Sequence, residues 1–141
     1  MLKTALLHPE ILKALAEAGH GSQVLIADGN YPASTGANPA ATRVYLNLAP
    51  GLINAVDVLK YVAQAIPIEA AHVMQPANGL DAPIFTEFST LVGGVNLQKL
   101  ERFAFYAAAS TSAVCLVIAT GEQRIYANIL LTIGVVAPPK E

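Results

Sequence analysis

The polar residues best suited to chemistry lie at the ends of apolar segments rather than within them. His20 stands between two glycines just before the apolar segment Gln23–Ala27, and Asp28 follows that segment directly. A histidine can transfer protons near neutral pH because its ordinary pKa is about 6.5, and an aspartate accepts hydrogen bonds from hydroxyl groups. Each residue also suits a structural role, His20 as a cap on helix carbonyls and Asp28 as a turn former.

Two further pairs of polar residues are spaced so that each pair can share one face of an element. Arg102 and Tyr106 are four residues apart, which places them together on a helix. Tyr126 and Asn128 are two residues apart, which places them together on a strand, and an asparagine in so apolar a segment needs hydrogen-bond partners. A surface or interface position for the first pair and an internal hydrogen bond for the second are the structural alternatives.

Several kinds of site lack support in this sequence. There is no glycine-rich nucleotide or phosphate motif and no nucleophile elbow of the Gly-x-Ser-x-Gly type. The three histidines, His8, His20 and His72, are too far apart for zinc-ligand spacing. Cys115 lies inside an apolar run and suits an inert buried thiol better than a nucleophile. We therefore expect no metal and no cofactor.

The elements that must position these residues alternate between helix and strand. The spacing of apolar residues predicts helices over Pro9–Glu17, 52–65 and 83–91, and one helix or two short pieces over 97–109. Apolar or alternating runs predict strands over Gln23–Ala27, 43–48, 70–74, Val114–Ala119 and 125–131. Such alternation is typical of an α/β layered sandwich with a largely parallel central sheet.

The predicted first strand separates the two residues of greatest interest. Ligands of open parallel sheets bind outside the carboxyl ends of the strands, where Asp28 lies, whereas His20 precedes the same strand. A strand of about seven residues spans over ~20 Å. The two side chains can therefore meet only if the glycine-rich segment folds back or if a neighbouring subunit intervenes.

The composition bounds the size, partners and location of the protein. The 141 residues suit a single domain, 1–141, and 54% of them are hydrophobic while only 13% are charged. So little charge favours a homo-oligomer that buries apolar surface. The formal net charge is −2 with no basic run, and no apolar stretch is long enough to span a bilayer, so we expect neither nucleic-acid nor membrane partners. The single cysteine and the lack of a secretory signal predict a cytoplasmic location.

The chemically interesting residues lie in motifs that resemble those of one family, the fucose mutarotases and ribose pyranases. The resemblance covers residues 1–33 and 101–135, whereas residues 34–100, with His72 and Glu87, carry none of its motifs. The matching motifs are Gly19-His20-Gly21 with Ala27-Asp28, Asn30-Tyr31-Pro32-Ala33, Arg102-Phe103-Ala104-Phe105-Tyr106, Thr120-Gly121-Glu122, and the run from Tyr126 to Leu131 that continues to Gly134-Val135.

The resemblance implies a fold, an assembly and a reaction. It implies an α/β sandwich assembled into a ring, often a decamer, with sites between adjacent subunits. It implies that a free monosaccharide changes its ring form by acid/base ring opening without a cofactor. Within the family, Arg102 favours the fucose branch and therefore an L-fucose-like substrate. By the same resemblance His20 is the proton donor, and the sugar-binding positions are Asp28, Arg102, Tyr126, Ala127 (through its backbone) and Asn128.

Two other functions remain open at this point. The pocket could hold a monosaccharide without converting it, as a binding protein associated with sugar uptake. Alternatively, the chain could be a structural or regulatory oligomer with a degenerate pocket, in which case no monosaccharide would bind. A dehydrogenase is the weakest hypothesis because the sequence has no nucleotide-binding fingerprint.

Overall fold

The computed structural model describes all residues from 1 to 141 and contains four helices and six strands. The helices and strands alternate along most of the chain, as the sequence predicts. In chain order they are α1 (Pro9–Glu17), β1 (Gln23–Ala27), β2 (Thr42–Tyr45), α2 (Ala55–Ala65), β3 (Ile68–Met74), α3 (Ile84–Leu91), β4 (Leu97–Leu100), α4 (Arg102–Ala109), β5 (Val114–Ala119) and β6 (Ile129–Ile133).

The six strands form one sheet in the order β2-β5-β1-β6-β3-β4. Strand β6 runs antiparallel to both of its neighbours, β1 and β3, while every other pair in the sheet is parallel. The predicted α/β fold with a largely parallel central sheet is therefore confirmed. The carboxyl ends of β1 and β3 lie at the same edge of the sheet, and Asp28 and Met74 stand there.

Helices cover both faces of the sheet, but unequally. Helices α1, α2 and α3 pack on one face, where Ile11, Leu59 and Phe88 belong to a core of 22 buried residues. On the opposite face α4 and the segment after β1 form a smaller core of 12 buried residues that includes Tyr31 and Phe105. None of the helices is long and apolar enough to cross a membrane.

The helix starts follow local capping rules. The Nδ1 atom of His8 accepts a hydrogen bond from the Ile11 N–H, and Pro9 occupies a first-turn position that needs no N–H donor. Asn54 caps α2 and Glu101 caps α4 in the same way, each through a side-chain oxygen that accepts a backbone N–H. Because the helix over 52–65 needs this cap, it begins at Ala55 rather than at residue 52.

Besides the start of α2, three predicted elements differ from the structure by three or more residues at one end. Only the second part of 97–109 is helical, because Leu97–Leu100 pairs with β3 as an edge strand. The strand predicted over 125–131 is wrong in its first half, since residues 125–128 form a loop and β6 begins at Ile129. The strand predicted over 43–48 is Thr42–Tyr45 instead, and the chain then turns away from the sheet.

Candidate functional site

A pocket of about 330 Å³ lies beyond the carboxyl ends of β1 and β3. It brings together five of the residues singled out from the sequence: Asp28, Arg102, Tyr106, Tyr126 and Asn128. Its lining consists of Asp28, Asn30, Tyr31, Met74, Arg102, Tyr106, Ile125, Tyr126 and Asn128. A neighbouring cleft of about 540 Å³ shares Asn30 with this pocket but contains none of the predicted residues. The smaller pocket is therefore the candidate site, because it holds Asp28, Arg102, Tyr126 and Asn128, the side chains predicted to bind the ligand.

Asp28 organises the floor of this pocket. Its Oδ1 accepts the N–H groups of Asn30 and Tyr31 at 3.0 and 2.9 Å. Its Oδ2 accepts the Ala127 N–H at 3.1 Å and the Asn128 side-chain amide at 3.2 Å. Burial raises the pKa of Asp28, and these four hydrogen bonds oppose the rise only in part. The carboxylate thus acts as the predicted turn former and also ties two distant loops together.

The loop of residues 125–128 is held against Asp28 from the side of β6. Besides the Ala127 N–H bond, the backbone N–H of Asp28 donates to Asn128 Oδ1 at 2.7 Å. Asn128 therefore makes the internal hydrogen bonds that the sequence left as an alternative, and it does so from a loop rather than from a strand. The family resemblance assigned the backbone of Ala127 to sugar binding, and the N–H of that backbone is engaged by Asp28.

Tyr126 adopts a strained backbone conformation in the same loop. Its φ angle is 59°, the only positive value at a residue other than glycine. A left-handed conformation costs an ordinary residue about 1–2 kcal/mol. The bonds from Asp28 to the next two residues hold this conformation, and they place the Tyr126 side chain at the pocket. Its hydroxyl accepts only a long hydrogen bond, 3.4 Å, from the Ala77 N–H.

Helix α4 supplies the opposite wall. Arg102 is its first residue, and its guanidinium lies over the rings of Phe103 and Tyr106 at 5.4 and 5.7 Å from their centroids. No side-chain hydrogen bond or ion pair within the chain uses this guanidinium, so its N–H donors remain available to a ligand. The predicted sharing of one helix face by Arg102 and Tyr106 is confirmed.

Tyr31 is a pocket residue that sequence reasoning noted only as part of a motif. Its ring contacts Phe105 and Tyr106 edge-on, at centroid separations of 6.0 and 5.3 Å, and its hydroxyl donates to the Gly36 carbonyl at 2.6 Å. Burial, followed by the charges of Tyr106 and Asp28, raises the pKa of Tyr31. The aromatic position three residues after Asp28 was the signal that could have placed it here.

His20 does not reach this pocket within one subunit. It lies before β1, at the opposite end of the strand, and β1 alone spans about 16 Å by the rise of its residues. Its Nε2 atom lies 2.9 Å from Oε2 of Glu69 in β3, and both side chains are about half exposed. The glycine-rich segment therefore does not fold back, and only a neighbouring subunit can bring His20 to Asp28. Glu69 was missed, although an acidic residue at the start of an apolar strand was a visible signal.

The other polar residues noted in the sequence lie outside the pocket. His72 stands in β3 with its Nδ1 buried and unpartnered, and Glu87 on α3 pairs with Arg124. Burial raises the pKa of the half-buried Cys115 thiol, as expected for an inert cysteine. No group of three or more His, Cys, Asp or Glu side chains lies close enough to hold a metal ion.

The whole of this architecture matches one known family. Residues 1–136 fit the model of the RbsD / FucU transport protein family. The chain belongs to the RbsD / FucU family. The resemblance drawn from the sequence motifs is therefore confirmed, and it extends through residues 34–100, where no motif was visible.

Relatives of this RbsD / FucU chain with named activities match nearly its full length. Human fucose mutarotase is 37% identical, over 94% of this chain and 92% of the relative. A D-ribose pyranase from Variovorax paradoxus (strain S110) is 35% identical, over 96% of this chain and 98% of the relative. Both branches of the family thus lie at similar distances in sequence.

Two solved structures of family members carry a sugar. Bacillus subtilis RbsD complexed with D-ribose superposes with a TM-score of 0.83 at 25% identity, covering 97% of this chain and 100% of that one. A fucose mutarotase in complex with L-fucose from Streptococcus pneumoniae superposes with a TM-score of 0.78 at 28% identity, covering 92% of this chain and 94% of that one.

Proposed function

We propose that this RbsD / FucU chain is a monosaccharide mutarotase that interconverts anomers or ring forms of an L-fucose-like free sugar, with His20 as acid and base. Fucose mutarotase and D-ribose pyranase are the names of relatives that match nearly the full chain, and two solved structures of the same fold hold D-ribose and L-fucose. The observation that carries the proposal is the pocket itself, which gathers Arg102, Tyr126 and Asn128 around Asp28.

The pocket is suited to a pyranose in both size and chemistry. Its volume of about 330 Å³ falls at the small end of ligand sites, which begin near ~300 Å³. Arg102 offers a fork of N–H donors, and the hydroxyl groups of Tyr106 and Tyr126 can donate or accept. Met74 and Ile125 add an apolar part to the lining, against which the C–H face of a sugar can pack.

The reaction needs proton transfer and no electron transfer. Ring opening breaks the bond between the anomeric carbon and the ring oxygen, while the anomeric hydroxyl loses a proton and the ring oxygen gains one. Closure on the other face of the carbonyl reverses both transfers and gives the other anomer. Glu69 accepts a hydrogen bond from the Nε2–H of His20, so Nδ1 of the neutral ring is left to act as a base. Once Nδ1 has taken a proton, the ring can return that proton as an acid.

A second copy of the chain completes the site in this proposal. Because His20 and the pocket lie at opposite ends of β1, the imidazole of one subunit serves the pocket of a neighbour. The low charge content and exposed apolar side chains such as Leu48, Leu52, Ile53 and Phe103 support such an interface. The ring-shaped decamer implied by the family resemblance and the cytoplasmic location predicted from the sequence belong to the same proposal.

Saturation-transfer NMR with L-fucose, D-ribose and D-galactose tests the proposal. We expect the protein to accelerate anomer exchange, most strongly for L-fucose. His20→Ala should reduce exchange by about 100-fold or more, the usual contribution of a positioned acid/base group, while sugar binding and the circular dichroism spectrum persist. His8→Asn is the matched control, because it replaces a histidine remote from the pocket and can keep the cap of α1. Unchanged exchange in His20→Ala would refute the role of His20.

The second candidate, a sugar-binding protein without turnover, is favoured by one observation: His20 is absent from the pocket of its own subunit. Sedimentation and light scattering decide whether a neighbour can supply it. A protein that binds L-fucose as a monomer and leaves its exchange rate unchanged would support this candidate over the mutarotase.

A further inference from the structure

A second buried carboxylate holds the loop that carries Tyr126, at the end opposite to Asp28. Glu122 is only 4% exposed, and its side chain accepts the N–H of Arg124 at 3.0 Å and the N–H of Ala55 at 3.2 Å. Ala55 is the first residue of α2. The loop 121–128 is therefore tied to β1 by Asp28 at one end and to α2 by Glu122 at the other.

Arg124 adds three side-chain contacts to this second attachment. Its Nε and Nη2 each lie 3.0 Å from one oxygen of Glu122, the two-point arrangement in which a guanidinium and a carboxylate bind best. Its Nη1 donates to Glu87 on α3. Burial raises the pKa of Glu122, but the hydrogen bonds from Arg124 and Ala55 and the guanidinium charge outweigh it and leave that pKa below its ordinary value.

The residues between the two attachments depend on them. Ile125 lines the pocket although 66% of it is exposed, so little packing holds it in place. Tyr126 keeps its strained φ angle, and its hydroxyl has only one long bond to the chain. Without Arg124, Glu122 would keep only backbone donors and the loop would lose its connection to α3.

From these contacts we infer that Arg124 is a positioning residue for the sugar pocket: it fixes the loop that presents Ile125 and Tyr126. The reference to sugar rests on the proposed function, whereas the hold on the loop does not. Arg124 does not line the pocket, and it acts only through the backbone that connects it to Ile125 and Tyr126. It should therefore affect substrate affinity more than the proton transfer itself.

The test compares Arg124→Met, Arg124→Lys and Glu87→Gln with a control, Lys99→Met. Lys99 forms a partly exposed ion pair with Asp81, far from the loop in sequence and outside the pocket lining. Loss of the two-point bond should raise the KM for L-fucose about tenfold in Arg124→Met, with kcat within about twofold. Arg124→Lys keeps the charge, but a lysine cannot reach both oxygens of Glu122 and also Glu87, so its KM should lie between those of wild type and Arg124→Met. Glu87→Gln should change KM by about twofold.

Amide hydrogen exchange provides a readout that needs no sugar. The Ala127 N–H is fully buried against Asp28, and we expect it to exchange about tenfold faster in Arg124→Met, because the loop opens locally. If Arg124→Met fails to fold, KM and Ala127 exchange are compared with wild type in Arg124→Lys, in which a positive charge still balances Glu122. Wild-type values of both KM and Ala127 exchange in a variant that has merely lost thermal stability would overturn the inference. Absence of any sugar conversion by the wild type would refute the proposed function, and the exchange of Ala127 would still test the role of Arg124.

Discussion

At the carboxyl end of β1, Asp28 is buried and its two oxygens accept four hydrogen bonds, whereas at the amino end His20 is more than half exposed and contacts the single carboxylate of Glu69. The first arrangement fixes two loops in place. The second leaves the imidazole of His20 accessible, and a single carboxylate partner sets the orientation of its ring.

This difference indicates that residues at opposite ends of β1 serve sugar binding and proton transfer. A group that must give and take a proton needs contact with the ligand, and a carboxylate whose acceptor positions are filled by donors of the protein itself serves better as a scaffold. Substitutions at the Asp28 end should therefore change stability and affinity. Substitutions at the His20 end should change the rate alone.

Asp28→Ala should have the largest effect on stability. It leaves the buried Ala127 N–H and the side-chain amide of Asn128 without an acceptor, and it removes the shorter of two hydrogen bonds made by the Tyr31 N–H, which keeps the Asp28 carbonyl at 3.3 Å. We expect a loss of about 4 kcal/mol in the free energy of unfolding together with loss of sugar binding. Urea denaturation measures the first effect and NMR titration the second. Asp28→Asn is the comparison variant, and it should recover only part, because its amide nitrogen would face other donors. A loss below ~1 kcal/mol in Asp28→Ala would contradict the scaffold role.

The sequence predicted the regular elements better than it predicted this difference. Strands β1 and β5 and helix α1 were predicted with their observed bounds, because uninterrupted apolar runs and helical spacing are local signals. Residues 97–100 were not separable from the helix that follows, since an edge strand only four residues long, with exposed Gln98 and Lys99, leaves no periodic pattern.

Motifs singled out several residues that line the pocket, but they did not predict the geometry of those residues. Tyr126 and Asn128 belong to the pocket, yet the strand alternation assigned to them is wrong, because the intervening Ala127 N–H bonds to Asp28, 99 positions away. The pairing of His20 with Glu69, 49 positions apart, is equally invisible in one sequence. Contacts between such distant positions depend on how β1, β3 and β6 pair in the sheet, which local patterns do not encode.

Glu122→Gln should have the next largest effect and a distinctive dependence on pH. Since the pKa of Glu122 is lowered in the folded protein, its contribution to stability is present above its unfolded pKa, near 4.5, and is lost as the pH falls through the folded value. At pH 7 we expect the substitution to cost about 3 kcal/mol, because Arg124 loses its buried partner. Thermal denaturation from pH 7 to pH 3 should show the difference from wild type shrinking below pH 4.5.

The pH dependence expected from Asp28 is the reverse of that expected from Glu122. The folded pKa of Asp28 is raised, so the stability that comes from binding its proton is present below the unfolded pKa, near 3.8, and is lost as the pH rises through the folded value. The hydrogen bonds that Asp28→Ala removes are a separate contribution, made by the ionised carboxylate. In mildly acidic solution, the pH-dependent contributions of Asp28 and Glu122 to the free energy of unfolding therefore change in opposite directions. A pH-independent difference between wild type and Glu122→Gln would show that charge pairing with Arg124 is not what Glu122 contributes.

Glu69→Gln should have the smallest effect on stability and isolate the other end of β1. Both partners of the His20–Glu69 pair are about half exposed, so the free energy of unfolding should stay within ~0.5 kcal/mol of wild type. The glutamine oxygen can still accept the Nε2 proton, but it no longer balances the charge of a protonated ring, and we expect anomer exchange to slow by about tenfold. Glu17→Gln, which removes an exposed carboxylate paired with Lys13, is the matched control and should exchange at the wild-type rate. If Glu69→Gln keeps the full rate while His20→Ala loses it, then the imidazole works without help from Glu69, and the orientation of His20 must come from the neighbouring subunit instead.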